Sequence, residues 1–194
     1  MNVFDFRIIN FNSENMSFDD IFDQEKWPHC TLFAISLAVT NACADHNVRV
    51  TSLDVRTALF QYEDIYKKLK TGFFPENFDG KIVKLRNRSR YADDFLCYTI
   101  KIENMAVKKY REGIPAKRYV LVVWRYLNGD EDHCMYVIDK TERDGVQCFK
   151  CFNSLWEGGI VEREPLIEVS RQGNNLHRVS VTVNNRVSLE PNSP

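Results

Sequence analysis

The strongest pattern in the chain runs from Cys30 to His46. Leu32, Phe33, Ile35, Leu37, Ala38, Val39 and Ala42 surround the whole helical circumference. A helix that is apolar all round belongs inside a protein, so residues 30–46 predict a buried central helix. The following stretch, "VTSLDVRTALFQYEDIYKKL", keeps helical character. Thr51 or Ser52 can cap its start and Asp54 falls in its first turn. "TGFFPENFDG" breaks the pattern with Gly, Pro and Asn. "KIVKLRNRSRYADD" is basic and poorly periodic, and predicts a solvated loop. "IENMAVKKYREGIP" predicts a short amphipathic helix stopped by Gly113 and Pro115. Beyond it the period changes. "YVLVVWRYL" is a continuous β-branched and aromatic run, which predicts a buried strand. "HCMYVIDK" alternates, and "GVQCFKCFNS" follows after a "KTERDG" turn, which together predict a hairpin. "PLIEVSR" and "LHRVSVTVN" supply two more strands. Helices first and strands afterwards is the α+β arrangement.

Composition narrows the class. The chain has 194 residues, 44% hydrophobic and 27% charged, with a formal net charge of −1. That is an ordinary soluble domain. Nothing in it implies bulk attraction to nucleic acid or to an anionic membrane. No run reaches the roughly 20 apolar residues that span a bilayer. The first twenty residues carry acids and asparagines through their apolar positions, unlike a secretory signal. The expectation is a cytoplasmic protein with neither membrane nor nucleic-acid partner. In that setting the six cysteines are read as reduced thiols and not as a disulfide framework.

Cys30 sits at the seam between a polar loop, "DQEKWPH", and the buried helix. A thiol at a helix N-terminus feels the positive end of the peptide dipoles, which lowers its pKa. A nucleophile also needs a base, a group that orients the base, and an oxyanion site. Of the four histidines, His29 is adjacent in sequence and expected to point away, and His46 lies at the far end of the helix. His177 has no neighbouring acid or amide in sequence. His133 begins a strand, and the partner strand of the same hairpin ends on Asn153. Paired strands bring such side chains together when they share a face.

The order Cys30, His133, Asn153 resembles that of the papain-like cysteine peptidases. That family carries a glutamine six positions before its nucleophile, and Gln24 stands six positions before Cys30. "CTLFAIS" is similar to the family's "CWAFS"-like helix start. Asp132 precedes the histidine, and "NSLWEGG" is close to the family's "NSW" followed by glycines. The resemblance touches both ends of the chain, while residues 60–100 match little. There are departures. "WPHCT" replaces the glycine-rich approach to the nucleophile, and Trp27 stands where the family has a disulfide cysteine. No "CNGG" segment is present, and Leu155 takes the place of a tryptophan. The spacing from Cys30 to His133 is shorter than the family's roughly 130–150 residues.

The resemblance implies one papain-like domain over 1–194. It has an N-terminal arm (1–23), a helical lobe (about 24–95) and an antiparallel β-sheet or barrel lobe (about 96–194), with the active-site cleft between the lobes. It implies a thiol peptidase acting on peptide or protein substrates through Cys30, His133 and Asn153, with Gln24 as oxyanion donor. No cofactor or metal is implied. Without a recognisable propeptide, restraint would come from a regulatory protein partner, from location or from narrow specificity. Two other readings use the same residues. One is a catalytically inert member of the fold that acts as a binding or regulatory module. The other is a structural zinc site built from His133, Cys134 and the C-x2-C pair Cys148 and Cys151.

Overall fold

The computed structural model describes residues 29–68, 72–87, 95–105, 118–126, 131–154, 160–165 and 176–184. Three helices come first: α1 (Cys30–Ala44), α2 (Ser52–Leu59) and α3 (Glu63–Lys67). A 3-10 turn (Pro75–Phe78) precedes seven strands: β1 (Ile82–Arg86), β2 (Phe95–Met105), β3 (Tyr119–Tyr126), β4 (Glu131–Arg143), β5 (Val146–Asn153), β6 (Ile160–Pro165) and β7 (Leu176–Asn184). The helical part packs on one antiparallel sheet.

α1 is buried from Cys30 to Thr40 without a break. Past Thr31, which donates to Phe73 O at 2.7 Å, its polar residues are tolerated because they return hydrogen bonds to their own helix. Ser36 Oγ donates to Leu32 O at 2.7 Å, Thr40 Oγ1 to Ser36 O at 2.8 Å and Asn41 Nδ2 to Leu37 O at 3.0 Å. α2 starts on a reciprocal cap. The Asp54 N–H donates to Thr51 Oγ1 at 3.0 Å, and the Thr51 N–H donates to Asp54 Oδ2 at 3.1 Å. The Arg56 guanidinium of α2 lies 4.3 Å above the Phe33 ring of α1, and burial lowers its pKa to about 10.

The strand order is β1-β2-β7-β3-β4-β5-β6, with every neighbouring pair antiparallel. The β4–β5 hairpin turns through Asp144 and Gly145, at φ 52° and 75°. Two consecutive left-handed residues make the two-residue turn whose twist matches the strands, and Asp-Gly is a favoured pair for it. Alternation divides the sheet's apolar residues between its faces. Val120, Val122, Cys134, Tyr136, Ile138, Phe152, Val179 and Val181 join the core that includes α1. Tyr119, Leu121, Val123, Met135, Val137, Phe149, Cys151 and Leu176 form a second cluster on the opposite face. A strand buried on both faces reads as an unbroken apolar run, which accounts for "YVLVV".

Two expectations fail here. The basic stretch after Gly80 is not wholly a loop. Ile82–Arg86 is a strand whose Val83 and Leu85 are buried while Ile82, Lys84 and Arg86 face out. Ile102–Met105 closes β2 and is not the start of a helix, and residues 106–115 lie outside the described set. The arm at 1–23, most of "PLIEVSR" and the tail after Asn184 also lie outside it. No described helix is long and apolar enough to cross a membrane.

Candidate active site

Cys30 is the first residue of α1. His29 caps the helix without a side-chain bond, and its carbonyl accepts the first helical N–H, from Phe33, at 3.1 Å. β4 brings His133 to this end of the helix, and the last residue of β5 brings Asn153. His133 is 5% exposed and Asn153 fully buried. His133 Nε2 lies 2.7 Å from Asn153 Oδ1. A carbonyl oxygen only accepts, so Nε2 carries the proton. Nδ1 is then the ring nitrogen left to act on the Cys30 thiol, whose pKa the His133 side chain lowers.

A second group reaches the sulfur. The β4–β5 ladder pairs Tyr136 with Phe152. Two residues nearer the open end of the hairpin, the Cys134 N–H turns to Cys30 Sγ at 3.4 Å. The sulfur's electrostatics follow from these contacts. Burial is the largest influence on the Cys30 thiol and pushes its pKa up. The hydrogen bond from His133, the charge of that ring and the Cys134 N–H outweigh burial, and the net result lies below the ordinary 9.0. Cys134, buried and close to Cys30, is held well above its ordinary value, first by burial and then by the Cys30 charge.

Three of the four site residues expected from sequence are therefore together: Cys30, His133 and Asn153. Gln24 lies outside the described residues, as do Leu155 and Trp156. The other histidines are engaged elsewhere. The His29 ring is tilted against Phe73 with centroids 6.1 Å apart. His46 Nε2 lies 3.2 Å from Val181 O. His177 has an acidic neighbour after all, with Nδ1 3.3 Å from Glu76 Oε1. Burial lowers its pKa and Glu76 opposes the shift. That pair joins β7 to the 3-10 turn, distant in sequence, so no local signal reveals it.

The zinc arrangement is not formed. Cys148 and Cys151 stand three residues apart on one strand, so they point to opposite faces. His133 is committed to Asn153 and Cys30. Among the described residues no three His, Cys, Asp or Glu side chains converge as metal ligands. No disulfide joins the six cysteines.

Comparison with known proteins adds little to this geometry. No family model matches the chain, and no curated protein matches it. Among solved structures it is similar to proCathepsin B S9 from Trypanosoma congolense. The identity is 13% and the TM-score 0.45, over 84% of this chain and 76% of that one.

Proposed function

We propose that this protein is a papain-like cysteine peptidase that hydrolyses peptide bonds through an acyl-enzyme. The observation that carries the reading is the line from Cys30 through His133 to Asn153. It joins a thiol with a depressed pKa, a base and an orienting amide, and no packing role requires that set. In this reading the Cys30 thiolate attacks a peptide carbonyl held in a cleft between the helical part and the sheet. Gln24 and the Cys30 N–H stabilise the oxyanion, each such donor being worth about 3–4 kcal/mol. His133, protonated by the thiol, passes its proton to the leaving amine. It then draws a proton from the water that hydrolyses the thioester. Asn153 keeps Nδ1 aimed at the sulfur throughout.

A second reading, the inert binding module, is favoured by one observation: Cys30 is only 9% exposed, and an incoming carbonyl must reach it. A short peptide carrying a thiol-alkylating group separates the two. The peptidase labels at Cys30 when folded at neutral pH, and labelling is lost in Cys30→Ala. A folded protein whose Cys30 stays unlabelled overturns the peptidase. An added amine nucleophile then tells transfer from hydrolysis, because both pass through the same thioester.

A further inference from the structure

The peptidase reading leaves one thiol beside the Cys30 sulfur unused, that of Cys134. Alternation along β4 turns Cys134 to the α1 side with Tyr136 and Ile138, in the same buried cluster as Cys30. Its own N–H donates to Cys30 Sγ at 3.4 Å, so its thiol is three bonds from an atom already touching that sulfur. The Thr31 hydroxyl, whose hydrogen goes to Phe73 O at 2.7 Å, lowers the pKa of both thiols. Two buried cysteines thus stand together at the N-terminus of α1, joined by the Cys134 N–H.

We propose that Cys134 is the resolving thiol of a reversible redox site, closing a Cys30–Cys134 disulfide after a hydroperoxide oxidises Cys30. In the first step the Cys30 thiolate attacks the peroxide O–O bond. A sulfur–oxygen bond forms, hydroxide or alkoxide leaves, and Cys30 becomes a sulfenic acid as the peroxide is reduced. In the second step the Cys134 sulfur attacks Cys30 Sγ and the sulfenic oxygen departs. That oxygen takes up its own proton and the Cys134 proton as water, so the pair of thiols loses two hydrogens in all. The charges favour this order. Burial and the Cys30 charge hold Cys134 protonated while Cys30 is a thiolate. Oxidation removes that charge, so the second thiol becomes easier to ionise at the moment it is needed. The disulfide blocks the site and also keeps Cys30 from the irreversible sulfinic acid. The inference rests on the Cys30 thiolate of the proposed function and not on peptide hydrolysis.

The test exposes the folded full chain to stoichiometric hydrogen peroxide, alkylates it in denaturant and maps its peptides. The expected product links the Cys30 and Cys134 peptides, and dithiothreitol restores Cys30 labelling in full. In Cys134→Ser the same dose drives Cys30 to sulfinic acid, and the fraction that dithiothreitol cannot rescue rises about tenfold or more. Cys134→Ala, checked for Cys30 alkylation before oxidation, repeats the test in a second background. Wild-type protein over-oxidised as fast as either variant overturns the proposal. So does a bond from Cys30 to the Cys134 amide nitrogen, or to a different cysteine. If Cys30 over-oxidises but still takes the peptide probe, only the redox site falls. If it resists both peroxide and probe, the reactive thiolate beneath both readings falls with it.

Discussion

The two ends of α1 each carry a cysteine, and the pair separates burial from chemistry. Cys43, near the C-terminal end, is fully buried. Burial first and Asp45 second push its pKa up to about 12. Cys30 is nearly as buried, and burial acts on it in the same direction. Yet its pKa falls below 9.0, because His133 and the Cys134 N–H stand against the sulfur. The same helix and side chain give an inert thiol at one end and an ionisable one at the other. What differs is the partner each sulfur meets, together with the end of the helix dipole it feels.

Removing the sulfurs one at a time tests that contrast most directly. Cys30→Ala should abolish hydrolysis of a fluorogenic peptide, a loss of roughly a millionfold when a nucleophile is deleted. Cys43→Ala should leave both hydrolysis and probe labelling in place. Loss of labelling in Cys43→Ala would mean that the two ends are not independent.

Next comes His133→Ala, which leaves Cys30 buried without its counter-charge. In the wild type the thiolate persists as pH falls below 9.0. In the variant burial is no longer offset by the ring, and the ionisation midpoint should move above 9.0. Iodoacetamide labelling at neutral pH should then fall, since less of the thiol is ionised there. It should recover only in alkali. An unchanged pH profile would show that His133 does not set the ionisation of Cys30.

A smaller effect is expected from Asn153→Ala. The ring keeps its place on β4 but loses the acceptor that fixes its tautomer. kcat should drop about a hundredfold, the lower end of what general acid–base catalysis supplies. Asn153→Asp should recover part of that loss. A larger fall in thermal stability than in kcat would make Asn153 a packing residue.

The smallest change is Thr51→Ala in the α2 cap. Urea unfolding should report a loss of about 1 kcal/mol, with Cys30 labelling unaltered at all pH values. Altered labelling would spread the special behaviour of Cys30 into the global stability of the helical part.

Much of this arrangement is legible in the sequence. α1 announces itself because no stripe of its surface is polar. The Thr51 cap, the strand at "YVLVV" and the hairpin after "KTERDG" follow from local chemistry. The meeting of His133 with Asn153 follows from pairing within one hairpin, since the residues are twenty apart. β1 was obscured because Lys84 and Arg86 dominate a segment whose buried positions are only Val83 and Leu85. The contact of Cys134 with Cys30 spans 104 residues, so no local pattern reveals it. The His177–Glu76 contact has no local marker either.

The place of β7 has a consequence for how the protein is made. Among the described strands β7 alone connects β1 and β2 to the group from β3 to β6, and it also packs under α1. Until residues 176–184 leave the ribosome, β2 and β3 each present an open edge, and such edges recruit stray strands. Contacts that must close over this much chain form slowly. α1 precedes all of these strands in the chain, and the described sheet it packs on is joined only once β7 has emerged.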